Sequence, residues 1–168
     1  MTAVTPDIQR SAASGARGGK YLTFILAGEE YGLEILKVHE ILSMLPITRV
    51  PRTPPFIRGV INLRGRVIPI IDLRLKFGLP AGDAHISTCT IVVRVQGVQI
   101  GLIVDNVSEV VAIADADIED APSFGHDVDT DFLLGIGKSG GRVKLLLDIE
   151  CVLSSQEFVA LQRTTVAG

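Results

Sequence analysis

Short apolar stretches, alternating with polar residues or unbroken for the length of one strand, follow one another along most of the chain, separated by Gly, Pro or Asp. This pattern favours β-strands, because successive side chains of a strand point to opposite faces of a sheet. It predicts strands over residues 21–27, 31–35, 47–50, 59–63, 67–72, 90–95, 99–104, 110–113, 133–136 and 143–148. Helical spacing is confined to residues 36–44, 74–77 and 154–162, the last opened by Ser155.

The pattern also occurs twice. One set of residues recurs 69 positions later and comprises Gly28, Gly32, Leu33, Val38 and Glu40. A second set recurs 76 positions later and comprises Gly59, Gly65, Arg66, Val67 and Asp72. Each copy holds about five strands, which bury too little apolar surface to be stable alone.

We therefore predict an all-β fold of two five-stranded, barrel-like subdomains packed together, with short helices and a C-terminal helix. The expected bounds are residues 20–82 for the first subdomain, 86–153 for the second and 154–162 for the helix. Residues 1–19 are rich in Ala, Ser, Gly and Thr and are predicted to be a disordered leader, and residues 163–168 to be a tail.

Composition adds the nature of the core and of the environment. Of the 168 residues 47% are hydrophobic and 5% aromatic, with no Trp, so the core is expected to consist of Val, Ile and Leu. No apolar run reaches the roughly 18 to 20 residues of a membrane span, and the leader lacks the apolar segment of a secretory signal. Cys89 and Cys151 lie in apolar, strand-like surroundings, and we expect reduced thiols in a cytoplasmic protein.

Charge is unevenly distributed along the chain, whose formal net charge is -3. Residues 49–76 contain seven basic residues and one acidic one, whereas residues 105–131 contain nine acidic residues and no Lys or Arg. The basic half leaves a small-barrel nucleic-acid or ligand-binding protein as an alternative function. Single-strand readers add exposed aromatic residues to such charge, and only Phe56 and Phe77 are available in this region.

Motifs that resemble phosphate and calcium sites lack the context these sites require. The segment GIGKSG at residues 135–140 is followed by a predicted strand, whereas a phosphate loop needs a helix there. Asp127, Asp129 and Asp131 resemble the start of a calcium loop, but Phe132 and Lys138 stand where Gly and Glu are required. A hairpin turn and a solvated acidic loop explain these segments better.

The chain also lacks a recognisable set of catalytic or metal-binding residues. His39, His85 and His126 have no partner at the spacing of a zinc site, and no Ser or Cys lies in a nucleophile motif. Asp72 and Asp148 occupy equivalent strand ends, where capping of a turn is the simplest explanation. We predict no enzymatic activity, no metal and no cofactor.

Three segments closely resemble the CheW family of bacterial chemotaxis coupling proteins: EEYGLEILKVHEIL, ITRVPRTPPFIRGVINLRGRVIPIIDLRLKFG, and GLIVDNVSEVV followed by APSF. The resemblance spans residues 21–161, and its central GVINLRG and IPIIDLR elements are otherwise typical of the homologous domains of the kinase CheA and of CheV. It implies two interlocked SH3-like barrels and a non-enzymatic adaptor. Such an adaptor joins the cytoplasmic tip of chemoreceptors to the regulatory domain of CheA. The length of the chain predicts a stand-alone adaptor, recruited to membrane receptor arrays.

The resemblance also implies site residues. A receptor-binding groove for a helical hairpin is expected at Ile35, Val38, Ile41, Val107 and Val110, with core packing as the competing interpretation. A kinase-binding surface is expected at Glu40, Ile47, Gly59, Asn62, Leu63 and Arg64. Within it, Glu40 and Arg64 are expected to form an ion pair, with solvated charges as the alternative. Phe124 is either a second kinase contact or packs on its own subdomain, and the uneven charge predicts rings or arrays with CheA and other copies.

Overall fold

The structure of the protein, a computed structural model, describes residues 17–82, 86–121 and 132–167. In these ranges the strands are β1 (Gly19–Leu26), β2 (Glu29–Glu34), β3 (Val38–Ser43), β4 (Ile57–Leu63), β5 (Arg66–Asp72), β6 (Cys89–Val95), β7 (Val98–Val104), β8 (Asn106–Ile113), β9 (Ile118–Glu119), β10 (Leu133–Ser139) and β11 (Arg142–Leu147). The helical elements are two 3₁₀ turns (Ile35–Lys37 and Asp115–Asp117), α1 (Leu73–Lys76) and α2 (Ser155–Ala167). The predicted all-β class is confirmed.

The strands form a six-stranded sheet with the order β8-β1-β2-β11-β10-β9 and a five-stranded sheet with the order β3-β6-β7-β5-β4. Offsets of 69 and 76 residues map the first five strands of the six-stranded sheet onto the strands of the five-stranded sheet in the same order. The internal repeat is therefore present in the structure. Pairing within the described residues closes neither sheet into a barrel.

The two copies of the repeat exchange strands. Each sheet takes one hairpin from one copy, and the other copy contributes four strands to the six-stranded sheet and three to the five-stranded sheet. The parts are joined by the parallel pairs β2 with β11 and β5 with β7 and by the antiparallel pairs β1 with β8 and β3 with β6. The sheets consequently differ from the expected subdomains of residues 20–82 and 86–153. The exchange interlocks the two copies, because neither copy forms a sheet from its own strands alone.

Two predicted elements of the first copy take a different form. Residues 36–44, for which the spacing predicts a helix, form the end of a 3₁₀ turn followed by β3. Within residues 47–50, for which the pattern predicts a strand, Thr48 alone forms a β-bridge, exchanging two 2.9 Å N–H to O hydrogen bonds with Val60. This bridge lies where β9 pairs with β10 in the second copy.

The two ends of the described chain are more ordered than the composition predicts. Arg17, expected to lie in a disordered leader, donates from Nη1 to Asp120 Oδ1 at 2.9 Å and to the Leu134 carbonyl at 2.7 Å. Helix α2 extends beyond the predicted end at residue 162, and Ser154 rather than Ser155 caps it. Ser154 Oγ accepts from the Glu157 amide at 3.1 Å, while Glu157 Oε1 accepts from the Ser154 amide at 2.8 Å, which together form a capping box.

One apolar core joins the two sheets. Its buried members include Leu22, Phe24 and Leu33 from the six-stranded sheet, Ile71, Ile91, Val93 and Leu102 from the five-stranded sheet, and Phe158 and Leu161 from α2. A smaller cluster covers the outer face of each sheet. None of the helices in the described ranges is long and apolar enough to cross a membrane. The core positions the two outermost strands that bear the predicted groove.

Candidate functional site

One of the two edge strands of the five-stranded sheet, β3, displays two of the predicted groove residues on one face. In a regular strand Val38 and Ile41, three positions apart, would point to opposite faces. A β-bulge after Val38 corrects this, because Val38 pairs with Val93 and Ile41 pairs with Ile91, two core residues that share a face. Both side chains therefore lie on the face that contributes to the core between the sheets.

One of the two edge strands of the six-stranded sheet, β8, repeats this arrangement. Val107 pairs with Phe24 and Val110 pairs with Leu22, and the register shifts between these two pairs. Leu22 and Phe24 are two positions apart and both belong to the shared core, so the two valines lie on one face. Two bulged edge strands thus supply two apolar walls from equivalent positions of the repeat.

The predicted groove residues divide into an inner and an outer group. Ile35, Val38 and Val107 are partly buried and pack against the shared core. Ile41 and Val110 are 44% and 50% exposed. Core packing therefore accounts for part of the inner group, whereas the outer pair presents apolar surface to solvent above the core.

The hairpin that joins β4 and β5 displays the polar residues of the predicted kinase-binding surface. Arg64 and Gly65 have φ values of +52° and +85°, and Leu63 pairs with Arg66, as a two-residue type I′ turn requires. Asn62, which is exposed, accepts a hydrogen bond at Oδ1 from the Gly65 amide at 2.8 Å. The hairpin thereby projects the Arg64 side chain from its tip.

The predicted ion pair between Glu40 and Arg64 is present. Arg64 Nη2 donates to Glu40 Oε2, which connects the hairpin to β3. The Arg64 side chain is 66% exposed and the Glu40 side chain 24%. An exposed pair of this kind contributes only about 0–1 kcal/mol to stability. Its main effect is to place a fixed pair of charges beside the bulged strand.

The remaining residues of this predicted surface lie in or against a core cluster. Leu63 is buried in the cluster on the outer face of the five-stranded sheet, and Ile47 packs against the same cluster. Gly59 is buried with φ of +142°, and a Cβ on it would lie 2.1 Å from the Thr48 carbonyl oxygen. These three residues hold the segment around Thr48 against β4, so in the free chain their contacts are internal.

A family model described as a CheW-like domain matches residues 20–157 of the chain. The chain belongs to the CheW family. It is 44% identical over 140 residues to the chemotaxis protein CheW of Klebsiella aerogenes, covering 83% of this chain and 84% of that protein. It is 36% identical over 142 residues to the protein FrzA of Myxococcus xanthus, covering 83% of this chain and 86% of that protein.

A solved structure agrees with this assignment. The scaffolding protein TtCheW of Thermoanaerobacter tengcongensis superposes with a TM-score of 0.76 at 38% sequence identity, covering 84% of this chain and 96% of that chain. The resemblance to the CheW family that the sequence motifs indicate is thereby confirmed, and with it the general role of a chemotaxis scaffold.

Sequence reasoning missed Leu36 as a candidate of this CheW-family site. Leu36 is 95% exposed in the middle of the 3₁₀ turn Ile35–Lys37, which contacts β1 and leads into β3. An apolar residue so exposed beside the inner groove residue Ile35 extends the apolar surface toward solvent. The helix predicted over residues 36–44 led us to miss Leu36, because an apolar residue in a helix is expected on its buried face.

Glu34 is a charged residue with a perturbed environment next to the groove. It directly precedes the turn Ile35–Lys37. Burial raises the pKa of the Glu34 carboxyl, Lys37 opposes this rise, and the charge of Asp148 adds to it. The carboxylate form of Glu34 is therefore less favourable in the folded chain than in water.

Other predicted residues are either capping residues or lie outside the described ranges. Asp72 Oδ1 accepts from the Arg74 amide at 3.0 Å, and Asp148 Oδ1 accepts from the Glu150 amide at 3.1 Å, as expected of turn caps. Among the residues that the structure describes, no three His, Cys, Asp or Glu side chains are grouped to hold a metal ion. The described ranges do not include Phe124, His85, His126, Asp127, Asp129 and Asp131.

Proposed function

We propose that this CheW-family chain is a non-enzymatic adaptor that joins the cytoplasmic tip of chemoreceptors to the regulatory domain of the kinase CheA. The state of the receptor would then control autophosphorylation of the kinase. The observation on which the proposal rests is the pair of bulged edge strands, β3 and β8, which present apolar residues from equivalent positions above one core.

The groove is proposed to bind the receptor. A receptor tip is a helical hairpin, and an amphipathic helix binds by laying its apolar side chains into an apolar groove. Ile41 and Val110 are exposed enough to contact such a helix, and Leu36 extends the surface beside them. The partly buried Ile35, Val38 and Val107 would form the floor.

The hairpin tip and β3 are proposed to bind the kinase regulatory domain. Glu40 and Arg64 present opposite charges at fixed positions, and complementary charges set the orientation of a partner more than its affinity. Ile47, Gly59 and Leu63 would support this surface from beneath, and Asn62 stabilises the turn. Phe124 remains a proposed second kinase contact.

The charge distribution supports assembly into rings or arrays with CheA and other copies of the chain. Arg49 and Arg52 are exposed in the basic half, and Asp115 and Asp117 are exposed in the acidic half. Opposite charges on two different surfaces favour head-to-tail contacts, which propagate instead of closing into a dimer. The proposed location is the cytoplasm, at membrane-bound receptor arrays.

Calorimetric titration of the full chain with a receptor signalling fragment and, separately, with the CheA regulatory domain tests the proposal. We expect saturable binding of both partners. Val110→Asp should weaken receptor binding and leave kinase binding unchanged, because it places a charge on the groove wall formed by β8, which is not part of the proposed kinase surface. Absence of binding to either partner at about 50 μM would overturn the proposal. Steeply salt-dependent binding of single-stranded nucleic acid would instead favour the alternative function.

A further inference from the structure

A buried hydroxyl group, that of Thr23, lies at the bulge of β8. Thr23 belongs to β1 and is 0% exposed. Its neighbours Leu22 and Phe24 pair with Val110 and Val107, and the register between β1 and β8 shifts at Thr23. The side chain thus lies where the regular ladder of hydrogen bonds is interrupted.

The hydroxyl bridges both backbone groups of one residue in the bulge. Thr23 Oγ1 donates to the Glu109 carbonyl oxygen at 2.8 Å and accepts from the Glu109 amide at 3.1 Å. A bulge leaves its extra residue without ladder partners, and a hydroxyl can donate once and accept as well. The Thr23 side chain therefore takes the place of a strand partner for Glu109.

We propose that Thr23 is a positioning residue for the second wall of the receptor-binding groove, the one formed by Val107 and Val110 of β8, as distinct from the first wall, formed by Val38 and Ile41 of β3. Its hydroxyl fixes which residue of β8 is the extra one, and this choice keeps Val107 and Val110 on the same face. Since strand side chains alternate between faces, moving the bulge past either valine turns one of the two away from the groove. This inference rests on the proposed receptor-binding function of the groove.

The first wall lacks this hydroxyl. The repeat equivalent of Thr23 is Val92, which pairs with Glu40 directly beside the bulge of β3 and is fully buried in the outer cluster. Glu40 also forms the ion pair with Arg64. The bulge of β3 is thus held by packing and an ion pair, whereas that of β8 is held by one side-chain hydroxyl. Removal of the Thr23 hydroxyl should affect the second wall alone.

Three variants separate the hydroxyl from its surroundings. Thr23→Val keeps the shape of the side chain and introduces the residue that the other copy has at this position, and Thr23→Ser restores the hydroxyl. Thr90→Val is the matched control. Thr90 is also buried, at 3% exposure, but among the described residues its hydroxyl reaches only Met44 Sδ, at 3.6 Å. Thr90 itself pairs in register with Leu42 and Ile103, away from the bulge of β3.

The expected result is a loss confined to receptor binding. Thr23→Val should bind the receptor signalling fragment about tenfold more weakly, bind the CheA regulatory domain as the wild type does, and exchange the Glu109 amide hydrogen faster. Thr23→Ser should restore both properties, and Thr90→Val should change neither. Should Thr23→Val fail to fold, Thr23→Cys, whose thiol is a weak donor and acceptor, replaces it with the same expectations.

Two results would overturn the inference: unchanged exchange of the Glu109 amide, or wild-type receptor affinity despite faster exchange. If the wild-type chain does not bind the receptor fragment, the proposed function fails, but positioning by Thr23 is still testable. Nuclear Overhauser contacts between the Val110 and Leu22 methyl groups should then be present in the wild type and in Thr23→Ser and be lost in Thr23→Val. Their retention in Thr23→Val would refute the positioning role.

Discussion

Replacing Gly59 by alanine tests whether close backbone contact holds the segment around Thr48 against β4. An added Cβ would lie 2.1 Å from the Thr48 carbonyl oxygen, 2.8 Å from its carbonyl carbon and 2.9 Å from Ile47 Cγ2. Most of this contact is with backbone, which cannot rotate away as a flexible side chain can. The segment must therefore move away from β4, which weakens its packing against the apolar cluster on the outer face of the five-stranded sheet.

The magnitude follows from what this movement breaks. Thr48 and Val60 exchange two backbone hydrogen bonds of 2.9 Å, each worth about 0.5–1.5 kcal/mol net. A residue other than glycine at the φ of +142° adds strain of about 1–3 kcal/mol. We expect Gly59→Ala to lower the free energy of unfolding by about 2–6 kcal/mol, a large part of the roughly 5–15 kcal/mol typical of a domain.

Urea denaturation, followed by circular dichroism, measures this loss. Gly65→Ala is the matched control, because Gly65 also has a positive φ, of +85°, but a Cβ on it would have no neighbour within 4 Å in the described part of the chain. The control should lose only the cost of backbone strain, about 1–2 kcal/mol. A loss for Gly59→Ala no greater than that for Gly65→Ala would show that the contact with Thr48 does not hold the segment, and the reasoning would be refuted.

Further predictions concern charged residues. Arg64→Glu should weaken binding to the CheA regulatory domain about tenfold or more while leaving receptor affinity unchanged, because it places like charges at the proposed kinase surface. The double variant Glu40→Arg with Arg64→Glu should restore part of the lost kinase affinity. An equal loss of affinity for both partners would contradict the assignment. Glu34→Gln should raise the urea midpoint at pH 7, since a carboxyl whose pKa is raised on folding destabilises the folded state once ionised. This gain should vanish as the pH falls below 4.5, the ordinary pKa of the group, and persistence at pH 3 would exclude ionisation as its cause. Lys144→Met should lower the free energy of unfolding by less than the roughly 3–5 kcal/mol of a fully uncompensated buried charge. Lys144, 3% exposed, lies 3.7 Å from the buried carboxylate of Glu30, but Arg142 Nε, 3.1 Å from Glu30 Oε1, stays as a partner. Adding Glu30→Gln should recover most of the loss.

Local features of the fold were accessible from the sequence because they depend on near neighbours. Alternation of apolar and polar residues located strands, and glycines at repeated offsets marked the turns between them. Gly28 and Gly97, for example, both have positive φ in the turns of the hairpins β1–β2 and β6–β7. The family motifs then indicated the ion pair between Glu40 and Arg64, which no local pattern predicts.

The exchange of strands between the two copies was not accessible from the residue pattern, although the family resemblance implied interlocked barrels. After β2 the chain can pair with β5 of its own copy or with β11 of the other, and the two strands have equivalent sequences. Both offer an Arg at their start and an acidic residue at or just after their end, Asp72 for β5 and Asp148 for β11. Register and hydrophobic pattern therefore fit both choices. Only the packing of the whole chain distinguishes them, which is why contiguous subdomains were the natural expectation.

The incorrect helix over residues 36–44 has a different cause, and the sequence contained the means to correct it. Spacing of three between Val38 and Ile41 is typical of a helix, but a bulged strand produces the same spacing on one face. The offset of 69 maps this segment onto residues 105–113, whose last four the alternation predicts as a strand. Two copies of one unit must share their secondary structure, so the repeat should have overruled the spacing. Applied in this way, the repeat would have identified both walls of the groove as edge strands and revealed Leu36 as an exposed residue on a turn.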